Sequence, residues 1–178
     1  MILFSIKNPT TNIYNKYMIW MEKIRGIDMN ISIIYESKYG NGKQAMTYFG
    51  NCLRKKGYAV QLMSIHEIKP HMLPESDLYI FCTPNAFGKI VRSMRKFLEK
   101  IEIKNSAGKY LLVNTCLNPT SNQDKGLEQM EELLQTKNIS KISEGIKLKV
   151  MTIKGPLEAG YEKKLDALAE TIQSALTK

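Results

Sequence analysis

Several residue types are scarce in this chain, and each scarcity removes a class of function. Among 178 residues there are only three cysteines, Cys52, Cys82 and Cys116, and no two of them stand in a C-x-x-C spacing. An odd number without that spacing excludes a disulfide framework, a zinc ribbon and a cysteine-ligated iron–sulfur cluster, and fits reduced thiols in a reducing compartment. Two histidines, His66 and His71, flank a proline-containing segment with no cysteine nearby, a poor metal-ligand set. No stretch reaches the 18 or so consecutive apolar residues of a membrane span. The first six residues are too short for a signal-peptide core and have no charged residue before them, so a cytoplasmic protein is expected. Acidic side chains are outnumbered: 17 Asp and Glu face 26 Lys and Arg, for a formal charge of +9. That excess speaks to partners and solubility rather than to fold. No arginine-rich stretch, zinc finger or RNP signature accompanies it, so nucleic acid is not the expected partner.

What remains is an ordinary globular composition, 43% hydrophobic and 24% charged, long enough for one domain with a real core. Residues 1–29 differ from the rest. Ile13, Tyr14, Tyr17, Met18, Ile19, Trp20, Met21 and Ile24 give a weak amphipathic helix pattern. They read either as a dispensable extension or as a helix covering a sheet edge or dimer surface. From residue 30 the pattern is regular. Ile31–Tyr35 is a β-branched run of buried-strand type. Ala45, Met46, Phe49, Cys52 and Leu53 have helical spacing, and Gly57 closes that helix. Strands are expected over 58–63, 78–82, 110–114 and 145–153. Helices are expected after residue 90, around 127–134 and over 165–176, with at most a short one within 64–76, which contains Pro70 and Pro74.

Strands alternating with helices predict a parallel sheet covered on both faces. Right-handed crossovers restrict the topology. The order 2-1-3-4-5 then places a ligand at the switch point between strands one and three.

Two loops carry the chemistry. The first, Glu36-Ser37-Lys38-Tyr39-Gly40-Asn41-Gly42-Lys43, joins a buried strand to a helix. Its glycines allow a sharp turn and close backbone approach. The helix start adds free N–H groups and its dipole for an anion, while Ser37, Asn41 and Lys43 add side-chain donors. A Walker P-loop does not fit, because Gly40 and Gly42 are two apart and Gln44 follows Lys43. Gly40, Gly42 and Ala45 could pass for the G-x-G-x-x-A of a dinucleotide site, although the polar Ser-Lys-Tyr lead better suits a monophosphate. A phosphoacceptor receiver domain lacks its Asp cluster here. The second loop, Thr83-Pro84-Asn85-Ala86-Phe87-Gly88-Lys89, exposes backbone groups. Phe87 either lies against a flat ring system or tucks into the core.

Ser37-Lys38-Tyr39-Gly40-Asn41 resembles the flavodoxin phosphate loop, and Thr83-Pro84-x-x-Phe87-Gly88-Lys89 resembles the second flavin loop of that superfamily. Met94-Arg95-Lys96-Phe97-Leu98 is similar to the helix that follows it. The resemblance spans about residues 30–175 and is nearer to the basic, protoporphyrinogen-dehydrogenase-like flavodoxin domains than to the acidic electron shuttles. It implies an α/β, flavodoxin-like three-layer sandwich with a five-stranded parallel sheet of order 2-1-3-4-5. It also implies FMN, with the phosphate on Ser37, Lys38, Tyr39, Gly40, Asn41, Gly42 and Lys43. The ring would then lie between Thr83, Pro84, Asn85, Ala86, Phe87 and Gly88 on one side and Thr115, Cys116, Leu117 and Asn118 on the other. No catalytic side chain is expected, because the flavin supplies the chemistry. Cys116 would lie at the ring edge, as a small strand-end side chain rather than a redox thiol. The expected role is electron transfer or FMN-dependent reduction. The alternative is an interaction module of the same fold without FMN. Lys89, Arg92, Arg95, Lys96 and Lys100 lie largely on one side of a helix, either as a solvated face or as a docking patch for an acidic redox partner.

Overall fold

A computed structural model describes residues 29–176. The helix expected within 1–29 lies outside the described residues.

The elements follow the alternation expected from the sequence: β1 (Asn30–Tyr35), α1 (Asn41–Lys55), β2 (Ala59–Ser64), a 3-10 turn (Pro70–Met72), β3 (Leu78–Ala86), β4 (Lys89–Ile90), α2 (Arg92–Lys100), β5 (Lys109–Cys116), α3 (Gly126–Gln135), β6 (Ser140–Lys141), β7 (Ile146–Lys149) and α4 (Tyr161–Leu176). The sheet runs β2-β1-β3-β5-β6, with β7 also paired to β5 and β4 to β3. β1 is parallel to both β2 and β3, and β5 is parallel to β3, β6 and β7. Counted by position, this is the 2-1-3-4-5 order of a flavodoxin-like sandwich.

Three details differ from the expected elements. The fifth strand position is shared by two short pieces: β6 pairs the start of β5 and β7 pairs its end. The third strand does not stop at Cys82 but continues to Ala86 and folds back as a hairpin, pairing Asn85 with Ile90 and Ala86 with Lys89. The connection from β2 to β3 holds only the 3-10 turn, because Pro70 and Pro74 leave no room for a helix.

The period of two along each central strand divides the core. Ile31, Ile33, Leu78, Ile80, Leu111 and Val113 face α1 and α4, where they meet Met46, Phe49, Leu53, Leu165 and Ile172. Ile34, Tyr79, Phe81, Tyr110 and Leu112 face α2 and α3, where they meet Met94, Phe97, Leu98, Met130 and Leu134. The central strands are thus buried on both faces, which explains their continuous apolar runs. Tyr79 keeps its hydroxyl satisfied inside this core, accepting from Ser76 N at 3.0 Å and donating to Pro74 O at 3.1 Å. Because the strands are parallel, the loops after β1, β3, β5 and β7 leave from one edge of the sheet.

Candidate functional site

The strand–helix turn after β1 has the geometry of an anion cradle. Glu36 N–H donates to Cys82 O at 2.8 Å, so the chain leaves the sheet at the seam between β1 and β3. Gly40 then takes the left-handed conformation, φ 85°, at the N-cap of α1. Only glycine adopts it without strain. No side chain caps the helix, and its first turn carries no acidic residue. The first N–H groups of a helix have no partner within it, so at this turn they are left for an outside acceptor together with the positive end of the dipole. Around Gly40 there is open space: nothing lies within 4 Å of where a β-carbon would stand. At Gly42, in contrast, a β-carbon would lie 3.1 Å from Glu36 O and 3.3 Å from Ser37 Oγ, so this residue closes the turn tightly on itself.

The side chains of the loop divide into two groups. Lys38, Tyr39 and Lys43 are exposed, with the Lys38 ammonium 5.4 Å from the centre of the Tyr39 ring. Asn41 is half-buried, and its Nδ2 donates to Lys154 O at 3.2 Å. It lies so close to Gly155 that no side chain fits there. Its amide therefore ties the first loop to the segment after β7, while its backbone N–H stays at the helix start. Glu36, one residue before the loop, is 7% exposed; Oε1 lies 3.0 Å from His66 Nε2 and Oε2 has no partner.

The second loop is a two-residue hairpin turn. Phe87, φ 53°, and Gly88, φ 76°, both have positive φ, as the tightest hairpin turns require. Phe87 is fully exposed at the tip, 104% of its reference area. Burial in the core is therefore corrected: a ring at the end of a two-residue turn cannot reach back into the sheet. Gly88 packs against Gln123, and its carbonyl accepts from Lys125 N at 2.8 Å, so the hairpin rests on the loop after β5. Thr83 is buried, with Oγ1 donating to Pro84 O at 3.3 Å, and Pro84 sits inside β3 opposite Thr115. Ala86 is exposed. Asn85 turns inward: its amide is buried beside Gly126 and Asp124 without well-formed hydrogen bonds.

In the third loop Thr115 and Cys116 are buried strand residues, while Leu117 and Asn118 are exposed. Burial, helped by the Asp124 carboxylate beside it, pushes the Cys116 thiol up to about 12. Such a thiol has almost no thiolate at neutral pH, and nucleophilic or redox chemistry needs the thiolate. Asp124 anchors this corner: Oδ1 accepts from Gly126 N at 3.2 Å and lies 3.4 Å from Lys147 Nζ. Burial pushes its carboxyl up, but the Asn85 amide, the Cys116 thiol, the Gly126 N–H and the Lys147 ammonium outweigh that and hold it below the usual carboxylate range. Asn114, fully buried, turns its unpartnered amide toward Gly126.

The loops after β1, β3 and β5 thus leave the same edge of the sheet, with the first tied to the end of β3 through Glu36 N–H and Cys82 O and the second to the third through Lys125 N–H and Gly88 O. Three contributors were missed by sequence reasoning. The segment 150–157 reaches the first loop through Asn41, the Glu36–His66 pair stands behind it, and Asp124 anchors the third loop. Only Asp124 carried a legible signal, an Asp three residues ahead of the apolar helical pattern that begins at Leu127. On the α2 face, Arg92, Lys96 and Lys100 are exposed. Arg95 is half-buried, with Nη2 donating to Gln129 Oε1 at 2.9 Å.

No protein-family model and no curated protein matches the sequence. Solved structures do match the fold. Flavodoxin 2 of Bacillus cereus is 18% identical with a TM-score of 0.68, over 82% of this chain and 98% of that one. The Streptococcus pneumoniae TIGR4 flavodoxin is 17% identical with a TM-score of 0.65, over 82% and 98%. The rubredoxin oxygen:oxidoreductase of Desulfovibrio gigas is 15% identical with a TM-score of 0.65, over 92% of this chain and 40% of that one. The chain therefore has a flavodoxin-like fold. Among the described residues no helix is long and apolar enough to cross a membrane, and no cluster of His, Cys, Asp and Glu could hold a metal ion.

Proposed function

We propose that this protein binds FMN at the crevice between β1 and β3 and works in electron transfer or as an FMN-dependent reductase. The observation that carries the reading is the uncapped start of α1, with Gly40 left-handed and the space around it open. The residues present fit the group. The backbone N–H groups of 41–43 are donors for a phosphate, with no side-chain cap and no acidic residue in the first turn of the helix, and Lys43 adds charge. Tyr39, Phe87 and Leu117 are exposed apolar groups on the three loops around the crevice, suited to a flat ring. When bound, FMN supplies the electron-accepting and electron-donating chemistry. The protein's own residues hold the phosphate, orient the ring and keep water from its faces. Cys116 takes no part in the redox step. The net charge of +9 and the basic α2 directly after the hairpin favour a place near the basic, protoporphyrinogen-dehydrogenase-like flavodoxin domains.

Titrating the protein into FMN tests the proposal. Flavin fluorescence should quench to a plateau at one FMN per chain. Free flavin fluorescence that is unchanged at saturating protein would refute it and leave the second reading, an interaction module of the same fold.

A further inference from the structure

The large hydrophobic residues most exposed among the described ones are Tyr39, Met72, Phe87, Leu117, Met151 and Ile153. Met72 stands apart, in the 3-10 turn whose Pro70 carbonyl lies near Glu102 beyond the end of α2. The other five all lie on the loops that leave one edge of the sheet. Phe87 is 104% exposed, Ile153 70%, Met151 54%, Leu117 50% and Tyr39 45%. The loops are also tied to one another: Asn41 Nδ2 donates to Lys154 O, and Lys125 N donates to Gly88 O.

The fold gives no reason for these side chains. Phe87 occupies a left-handed position that favours Asn or Gly and is fully exposed, so it buries none of its ring in the fold. Bound FMN would cover parts of Tyr39, Phe87 and Leu117, but Met151 and Ile153 stand outside the residues proposed to hold it. The exposed charge on the same loops is mostly basic. Lys38, Lys89 and Lys154 are exposed, whereas Glu36 and Asp124 are buried and Glu158 pairs with Lys149 and Lys164. Each lysine follows or precedes an apolar tip by one or two positions, as Lys38-Tyr39, Phe87-Gly88-Lys89 and Ile153-Lys154.

We propose that this edge docks the protein, peripherally, on a bilayer surface carrying anionic phospholipid. The apolar side chains enter the boundary between headgroups and acyl chains, and the neighbouring lysines meet lipid phosphates. The interleaving decides between a bilayer and an acidic protein. A folded partner needs a pocket for each protruding tip and carboxylates matched around it. A headgroup layer yields to separate protrusions and offers phosphate beside every one of them. The proposal does not depend on FMN binding.

Vesicle flotation of the whole chain tests it, with phosphatidylcholine alone against phosphatidylcholine containing about 30 mol% phosphatidylglycerol. The anionic vesicles should carry at least about tenfold more protein. Met151→Ser with Ile153→Ser, which leaves the charge unchanged, should reduce the bound fraction about tenfold. Lys89→Glu with Lys154→Glu should do the same. Lys55→Glu with Lys104→Glu makes the same charge change at the opposite edge of the sheet and should stay close to wild type. Melting curves confirm that each variant is folded, and FMN titration of the same samples reports the flavin site separately. Three results would overturn the proposal. Loss of binding to both vesicle types leaves the edge to an acidic protein. Indifference to the Met151 and Ile153 pair, or equal losses from the two lysine pairs, reduces the attraction to long-range charge.

Discussion

Gly40→Ala separates the proposed phosphate cradle from the scaffold that carries it. Gly40 has φ 85° and ψ −15°. An L-residue there costs roughly 1–2 kcal/mol, offset by about 0.4–1 kcal/mol because alanine restricts the unfolded chain. The added methyl meets nothing within 4 Å, so no steric cost is added. The net loss of stability is on the order of 1 kcal/mol, or roughly 2–4 °C in melting temperature for a domain of this size. The effect on FMN should be larger. A methyl at the mouth of the helix start holds the phosphate back from the N–H groups, and one lost hydrogen bond to a charged group is worth about 1.5–3 kcal/mol. That converts to roughly 10–150-fold in Kd. Fluorescence titration beside thermal melts measures both. A Kd within about threefold of wild type, with the small melting shift present, would show that no phosphate approaches Gly40, and the cradle reading would be wrong.

Asp124 supplies a test of the anchor under the third loop. Its folded-state pKa is lowered, so its contribution is present above the unfolded value near 3.8 and is lost as pH falls through the folded value. Asp124→Asn should therefore destabilise the protein at pH 7, with a deficit that shrinks at pH values below about 4; urea melts at the two pH values measure it, and a pH-independent deficit would contradict the assignment. In the core, Tyr79→Phe removes a fully buried hydroxyl and leaves Ser76 N–H and Pro74 C=O without their partner. That should cost about 1–3 kcal/mol in chemical denaturation, whereas no loss would mean that water replaces the hydroxyl.

The central elements were legible because a parallel strand buried on both faces must read as an unbroken apolar run. Ile31–Tyr35 and the apolar residues at 78–82 and 110–114 did so. The helices were legible through the 3.6-residue period of their single buried face. The first loop was legible because glycines between such a strand and such a helix have a local reason to be there. The hairpin was hidden by its own sequence: Pro84 argues against continuing a strand, and Phe87-Gly88 is not one of the pairs that announce a two-residue turn. The break in the fifth strand was hidden because its cause lies in β5. Ile142 N–H bonds to Tyr110 O, and Gly145 lies so close to β5 that a β-carbon would be 2.9 Å from Leu112 O. A run that looked continuous from 145 to 153 therefore pairs with β5 over Ile146–Lys149, after which Val150 bridges back to Leu157.

By itself, then, the amino-acid sequence determined the alternation of strands and helices and the glycine turn between the first strand and the first helix, since both follow from periodicity and turn chemistry within short windows, while the sheet order was expected from the resemblance to the flavodoxin fold. Only the tertiary structure decided which side chains meet. Asn41 bonds to Lys154, 113 residues away, and Glu36 to His66, 30 away. The amide of Asn85 is turned inward while Phe87, two residues on, is turned out. Such pairings depend on which loops the parallel sheet brings to one edge, and sequence spacing carries no record of that distance.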